Sequence, residues 1–295
     1  MEKLFMGSGV ALVTPFSADG SEVNFESLGN LIDWHLENKT DAIIINATTG
    51  EGPTMTNSEK EDVIKFTLER VNGKMPVIAS TGGNNTKVVI ESSKRAEELG
   101  VDGLLVITPY YNKTSQRGLV AHFKAVAESV KLPIIMYNVP SRTGLNMLPA
   151  TVAELAKVPN IVGTKEASGD ISQVTKIAEL TQGENFDIYS GEDVLVFPIL
   201  ALGGAGVIST TANVLPKEFH DICATGCSKM EDCRDLQLKV VGMVEAMFCE
   251  VNPIPVKTAL NLMGKNVGAL RLPLVEPAPE NLEKIRAALR KWNLI

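Results

Sequence analysis

The sequence predicts an α/β fold, a closed (β/α)8 TIM barrel followed by a C-terminal helical extension. Three observations predict it. Eight short apolar runs rich in β-branched residues alternate with stretches of helical spacing, and near-continuous apolar strands belong to a parallel sheet covered by helices. The chain has 295 residues, enough for a barrel of about 250 residues plus an extension. A doubly wound open sheet is the alternative, but the turn after the first run lacks its G-x-G-x-x-G spacing.

The elements follow in order. Residues 9–15 form the first apolar run, and Asn24 is placed to cap a helix with Phe25, Leu28, Leu31, Ile32 and Leu36 on one face. The second strand spans 41–49. Thr56 and Glu59 have capping-box spacing ahead of a helix that Asn72-Gly73 ends. Strands at 76–81, 103–109 and 133–137 alternate with helices, and Pro149 sits where a helix start tolerates proline. The sixth strand, 160–167, carries Lys165, the seventh spans 186–190, and Asp193 is placed to cap the helix that runs to Leu202. The eighth spans 206–211, and the glycines from Gly203 to Gly206 before it read as a tight turn. From about Lys229 only helical patterns remain, so residues 1–228 are the expected barrel and 229–295 the helical domain.

Composition excludes several classes. Hydrophobic content of 44% and charged content of 21% fit a soluble globular chain. A net charge of −7, with no basic patch, argues against nucleic acid as a partner. No apolar run reaches the roughly 20 residues that span a bilayer. Residues 1–6 lack a signal-peptide core, so the expected location is cytoplasmic. Cys223, Cys227 and Cys233 match no common zinc spacing, and His35, His122 and His220 sit singly in helical patterns and read as structural.

In a barrel, chemistry collects at the C-terminal ends of the strands. Thr48, Thr49, Tyr110, Tyr111, Tyr137, Arg142, Lys165 and Ser209 fall there. Lys165 follows an apolar run. It is either a strand-end lysine that snorkels to water or a buried amine whose neutral form attacks a carbonyl as a Schiff-base nucleophile. Tyr137, one strand away, is the candidate proton shuttle, with Thr48 and Tyr111 hydroxyls as a relay. The turn at Thr48-Thr49-Gly50 presents donors suited to a carboxylate, or simply satisfies its own backbone. Arg142, five residues past Tyr137, is placed to clamp a second carboxylate or to pair on the surface.

Five motifs, spread over nearly the whole chain, carry a resemblance. They are Thr48-Thr49-Gly50-Glu51, Thr108-Pro109-Tyr110-Tyr111-Asn112, Tyr137 through Gly144, Gly163-Thr164-Lys165-Glu166 and Asn252 through Lys257. Together they resemble the dihydrodipicolinate (4-hydroxy-tetrahydrodipicolinate) synthase family of pyruvate-dependent class I aldolases. The resemblance implies that Lys165 forms a Schiff base with pyruvate and that no separate cofactor is needed. It implies Tyr137 as the acid/base, Thr48 and Tyr111 as its relay, and Tyr111 contributed across a dimer interface within a homotetramer. Thr49 would hold the pyruvate carboxylate, Arg142 would receive aspartate-4-semialdehyde, and Gly191 and the carbonyl of Ile208 would line the pocket. Arg142 separates this branch from the related N-acetylneuraminate lyases, the alternative reading.

Two departures stand out. Ala47 replaces the glycine that commonly precedes the paired threonines. Where lysine-sensitive members carry serine, histidines and glutamate in an interface pocket, this chain matches with Gly52, Asn57, Lys60 and Val88, while keeping Asn84 and Tyr110. The resemblance therefore implies weak or absent inhibition by lysine.

Overall fold

The computed structural model describes residues 3–295; Met1 and Glu2, part of the segment read for a leader, lie outside them, as do the side chains of Cys227 and Ser228. Its eight strands are β1 (Gly7–Ala11), β2 (Ala42–Ile45), β3 (Val77–Ser80), β4 (Gly103–Ile107), β5 (Ile134–Asn138), β6 (Ile161–Glu166), β7 (Asp187–Ser190) and β8 (Gly206–Ser209). They pair in parallel and in sequence order, and β8 returns to β1 with Gly9 opposite Ile208, closing the barrel.

Eleven helices flank or follow the strands up to residue 262: α1 (Phe25–Glu37), α2 (Asn57–Val71), α3 (Thr86–Leu99), α4 (Gln116–Ser129), α5 (Pro140–Thr143), α6 (Pro149–Leu155), α7 (Ile171–Leu180), α8 (Val196–Ala201), α9 (Pro216–Thr225), α10 (Met230–Met247) and α11 (Ile254–Leu262). A last helix, α12 (Pro279–Lys291), packs against α10 and α11. Local chemistry starts and stops them. Asn24 accepts from the Ser27 amide, Thr56 and Glu59 form a reciprocal capping box, and Asn72 ends α2 in the left-handed conformation.

Two apolar layers result. The larger lies between strands and helices and includes Leu28, Val63, Phe123 and Ile199. The smaller fills the barrel and includes Ile44, Ile78, Leu105 and Ile135. Phe5 stacks on Tyr189, whose hydroxyl donates to the Phe5 carbonyl at 2.7 Å, so residues before β1 plug one end. The polar residues of the opposite end are left to form the site.

The second and eighth strands close early, at Ile45 and Ser209 rather than at 49 and 211, and two further expectations need correction. β1 ends at Ala11 although the apolar run continues. The Leu12 amide still donates to the Ile44 carbonyl of β2 at 2.9 Å, but from Val13 the backbone turns to another partner, its amide donating to the Asn213 side chain at 3.0 Å. Asp193 does not cap α8, whose N-cap is Leu195; its buried carboxylate accepts from the Thr211 amide at 2.8 Å. The three histidines each meet a side chain nearby: His35 with Thr40, His122 with Thr86, His220 with Asp41. Among the described residues no His, Cys, Asp and Glu side chains gather to hold a metal, and no helix is long and apolar enough to cross a membrane.

Candidate active site

Alternation along β6 sets Lys165 inward and its neighbours outward. Glu166 thus faces the helices, where Asn138, Gln173 and the Ser168 amide donate to its carboxylate. Asn138 and Gln173 both also donate to Asn146. This buried net fixes the end of β6, and hence the height of Lys165, to β5 and α7.

Lys165 is 5% exposed. It pairs in register with Tyr137 on β5, and its Nζ lies 4.4 Å from the Tyr137 ring centroid. It forms no ion pair among the described residues. Burial pulls its pKa down from 10.5 to about 8, against the opposing pull of Asp193 and Glu192. At pH 7 about a tenth of such amines are neutral, against well under a thousandth for an unshifted lysine. The same burial pushes the Tyr137 phenol up to about 12, with Arg142 pulling the other way. Burial also raises the carboxylates of Glu192 and Asp193.

Gly191 packs directly on the lysine. A β-carbon there would meet Lys165 Cε at 3.1 Å and Ala167 Cβ at 2.7 Å, so only glycine leaves the amine its place. Ile208 is fully buried on β8 and belongs to the same interior layer as Tyr137.

The Thr48–Glu51 turn follows β2. The Glu51 amide donates to the Thr48 carbonyl at 3.1 Å, and Glu51 itself is left-handed with φ of 52°. Gly50 is required by crowding, since a β-carbon would sit 2.9 Å from the Leu12 carbonyl. The amides of Thr48, Thr49 and Gly50 meet no acceptor among the described residues. Thr49 is buried, and its hydroxyl lies 3.2 Å from that of Thr210 and 3.0 Å from Asn252 Nδ2.

Arg142 lies within the one-turn helix α5 and is exposed, and its Nη2 donates to the Asn252 carbonyl at 3.1 Å. Tyr111 is set apart. It is 91% exposed with φ of 67°, and no hydrogen bond joins its hydroxyl to Thr48 or Tyr137 among the described residues. The fold thus brings Lys165, Tyr137 and Gly191 together, holds Thr49 and Arg142 around one residue, Asn252, and leaves Tyr111 outward. Sequence reasoning missed Asn252 and Lys257 as supports of the turn. Lys257 Nζ reaches Glu51 Oε1 at 2.6 Å, and only the Asn252–Lys257 motif hinted at either.

Fold and site define a class, a (β/α)8 barrel with a buried lysine, unpaired among the described residues, beside a buried tyrosine at its mouth. Residues 4–292 match the pattern of the Dihydrodipicolinate synthetase family, and the chain belongs to that family. It is 57% identical over 294 residues to a 4-hydroxy-tetrahydrodipicolinate synthase of Thermoanaerobacter sp. (strain X514), covering 99% of this chain and 98% of that one. Among solved structures it resembles dihydrodipicolinate synthase from Thermotoga maritima, with TM-score 0.97, 44% identity, and coverage of 99% and 100% of the two chains. It also resembles the chloride-inhibited dihydrodipicolinate synthase of Acinetobacter baumannii complexed with pyruvate, with TM-score 0.95, 42% identity, and coverage of 98% and 99%.

Proposed function

We propose that this chain condenses pyruvate with aspartate-4-semialdehyde to give 4-hydroxy-tetrahydrodipicolinate, the activity named for its relatives, and so serves lysine and diaminopimelate biosynthesis. The observation that carries this is Lys165, buried, without an ion pair among the described residues and held against Tyr137 with a pKa of about 8. Its neutral amine adds to the pyruvate ketone, and the carbinolamine loses water to give an iminium. Loss of a methyl proton then gives an enamine, whose carbon attacks the aldehyde and forms the new C–C bond. The amino group of the second substrate displaces the Lys165 amine, closing the ring and freeing the enzyme.

Tyr137 moves protons at the carbinolamine oxygen and the substrate carbon, with Thr48 and Tyr111 as its relay. Thr49 and the open amides of its turn hold the pyruvate carboxylate, between Gly191 and the Ile208 carbonyl. Arg142 receives the carboxylate of the aldehyde, which favours this substrate over a neutral sugar chain. The exposure of Tyr111 supports a place in a neighbouring subunit's site, within a dimer of dimers. In this reading residues 1–228 supply the reacting groups, and 229–295 support them from behind.

Borohydride reduction in the presence of pyruvate tests the reading. A single adduct at Lys165 is expected, together with coupled turnover of aspartate-4-semialdehyde. Lys165→Ala should lose about four orders of magnitude in rate, as removal of a covalent nucleophile does. Undiminished turnover in that variant would sink the proposal.

A further inference from the structure

We propose that Asn252 is a positioning residue that fixes the Thr49 hydroxyl as a donor toward the carboxylate of the first substrate. The inference rests on the functional reading above, in which Thr49 holds that carboxylate.

Asn252 comes from the segment between α10 and α11, 203 residues away from Thr49 in sequence. Both side chains are buried, at 6% and 2% exposure. Asn252 Nδ2 lies 3.0 Å from Thr49 Oγ1, and an amide N–H can only donate. One lone pair of the threonine oxygen is therefore occupied by an incoming proton. The second neighbour, Thr210 Oγ1 at 3.2 Å, is a hydroxyl able to donate or accept.

A carboxylate can only accept. When one docks on the turn, the Thr49 proton must point to it, and Thr210 then rotates to donate to the oxygen's remaining lone pair. Thr49 then has two donors behind it and one proton in front, an arrangement that strengthens the outgoing hydrogen bond. Without Asn252 the lone pair it fills is open, so the outgoing bond loses one of its two supporting donors and the hydroxyl one of the contacts that set its orientation. The backbone of Asn252 has a separate task, since its carbonyl accepts from Arg142 at 3.1 Å. Side chain and main chain of one residue thus serve the two carboxylate subsites, and a side-chain substitution addresses only the first.

The test uses the full-length protein with Asn252→Leu, which removes the donor at similar volume, and Asn252→Asp, which matches the shape but can only accept. Pyruvate dependence is read from borohydride trapping at Lys165 and from steady-state KM; KM for the semialdehyde is read alongside. Asn252→Leu should raise the pyruvate requirement about tenfold, the size of one hydrogen bond to a charged group. Asn252→Asp should raise it further, because it takes the Thr49 proton and adds a like charge. KM for the semialdehyde should stay within about twofold in both, the backbone carbonyl being retained. In a Thr49→Val background Asn252→Leu should add little, since the two act as one unit.

An unchanged pyruvate requirement in Asn252→Asp would overturn the inference. So would equal shifts for both substrates, or effects that multiply in the double variant, because those mark a loop that has merely collapsed. Absence of any adduct in the unsubstituted protein would overturn the functional reading itself, and this inference with it.

Discussion

Lys165 and Lys257 are the same side chain under nearly the same burial, and the proposed function gives them opposite roles. Lys165 is 5% exposed and Lys257 1%. Burial pulls each pKa down to about 8. Each lies over an aromatic ring, Lys165 over Tyr137 at 4.4 Å and Lys257 over Phe16 at 4.1 Å. The difference is one carboxylate. Lys257 meets Glu51 at 2.6 Å, and the other oxygen of Glu51 accepts from the Arg271 amide at 2.9 Å. Arg271 in turn holds Glu59, whose carboxyl that contact keeps down near 2. Lys257 is therefore bound into a satisfied net behind the Thr48–Glu51 turn, while Lys165 has no ion-pair partner among the described residues. Burial makes a lysine uncomfortable; whether it becomes structural or reactive depends on the group left facing it.

The largest effect should come from breaking the satisfied pair. Lys257→Met leaves Glu51 charged and buried, and loss of one partner of such a pair costs about 3–5 kcal/mol. Adding Glu51→Gln removes the stranded charge and keeps an acceptor for the Arg271 amide, so the double variant should be more stable than the single one. Denaturant unfolding measures both. If the single and double variants were equally unstable, the pair would be mere packing and the contrast with Lys165 would fail.

The opposite sign is expected at Lys165. Its folded pKa near 8 lies below the ordinary 10.5, so unfolding takes up a proton between those values and stability rises with pH across that window. Below pH 8 the buried amine costs about 3 kcal/mol, from 1.36 kcal/mol per pKa unit. Lys165→Met should therefore be inactive but more stable than the parent at pH 7, by an amount that fades toward pH 10.5. A variant that loses stability at pH 7, or a gain that does not change with pH, would show that Lys165 is held by contacts rather than strained by burial.

The two lysines also mark what the sequence makes legible. Lys165 and Tyr137 could be placed because strand alternation and barrel register are local, periodic properties, and the resulting pairing is direct. The Thr56–Glu59 box and the Asn24 cap were legible for the same reason. Asp193 was misread because its spacing suits a cap, whereas its actual acceptor role is toward Thr211, on the loop after β8. The roles of Lys257 and Asn252 were hidden because their partners, Glu51 and Thr49, lie 206 and 203 residues away. No period or cap signal spans such a distance; only the closed fold brings the C-terminal helices behind the second strand.

Lys60 extends the comparison to the surface and carries the smallest expected effect. It is half-buried, burial lowers its pKa, and it forms no ion pair among the described residues. Water still solvates part of its charge, so it lacks the full burial that the proposed function invokes at Lys165. We propose that its position matches one lining the inhibitor pocket of lysine-sensitive members, as the resemblance implies, where its ammonium would face the ammonium of the ligand. Like charges about 4 Å apart near a protein surface repel by on the order of 1–4 kcal/mol, enough to remove most of a weak site. Gly52 stands at a second position that the resemblance assigns to that pocket. A β-carbon at this position would meet the Asn46 carbonyl at 2.1 Å, so the serine of sensitive members cannot be restored without moving the turn. Lysine at about 1 mM should accordingly leave the rate within about twofold, and Lys60→Glu should make inhibition stronger than in the parent. Inhibition of the parent at sub-millimolar lysine would show that Lys60 turns away from the pocket, and that its missing partner has no bearing on regulation.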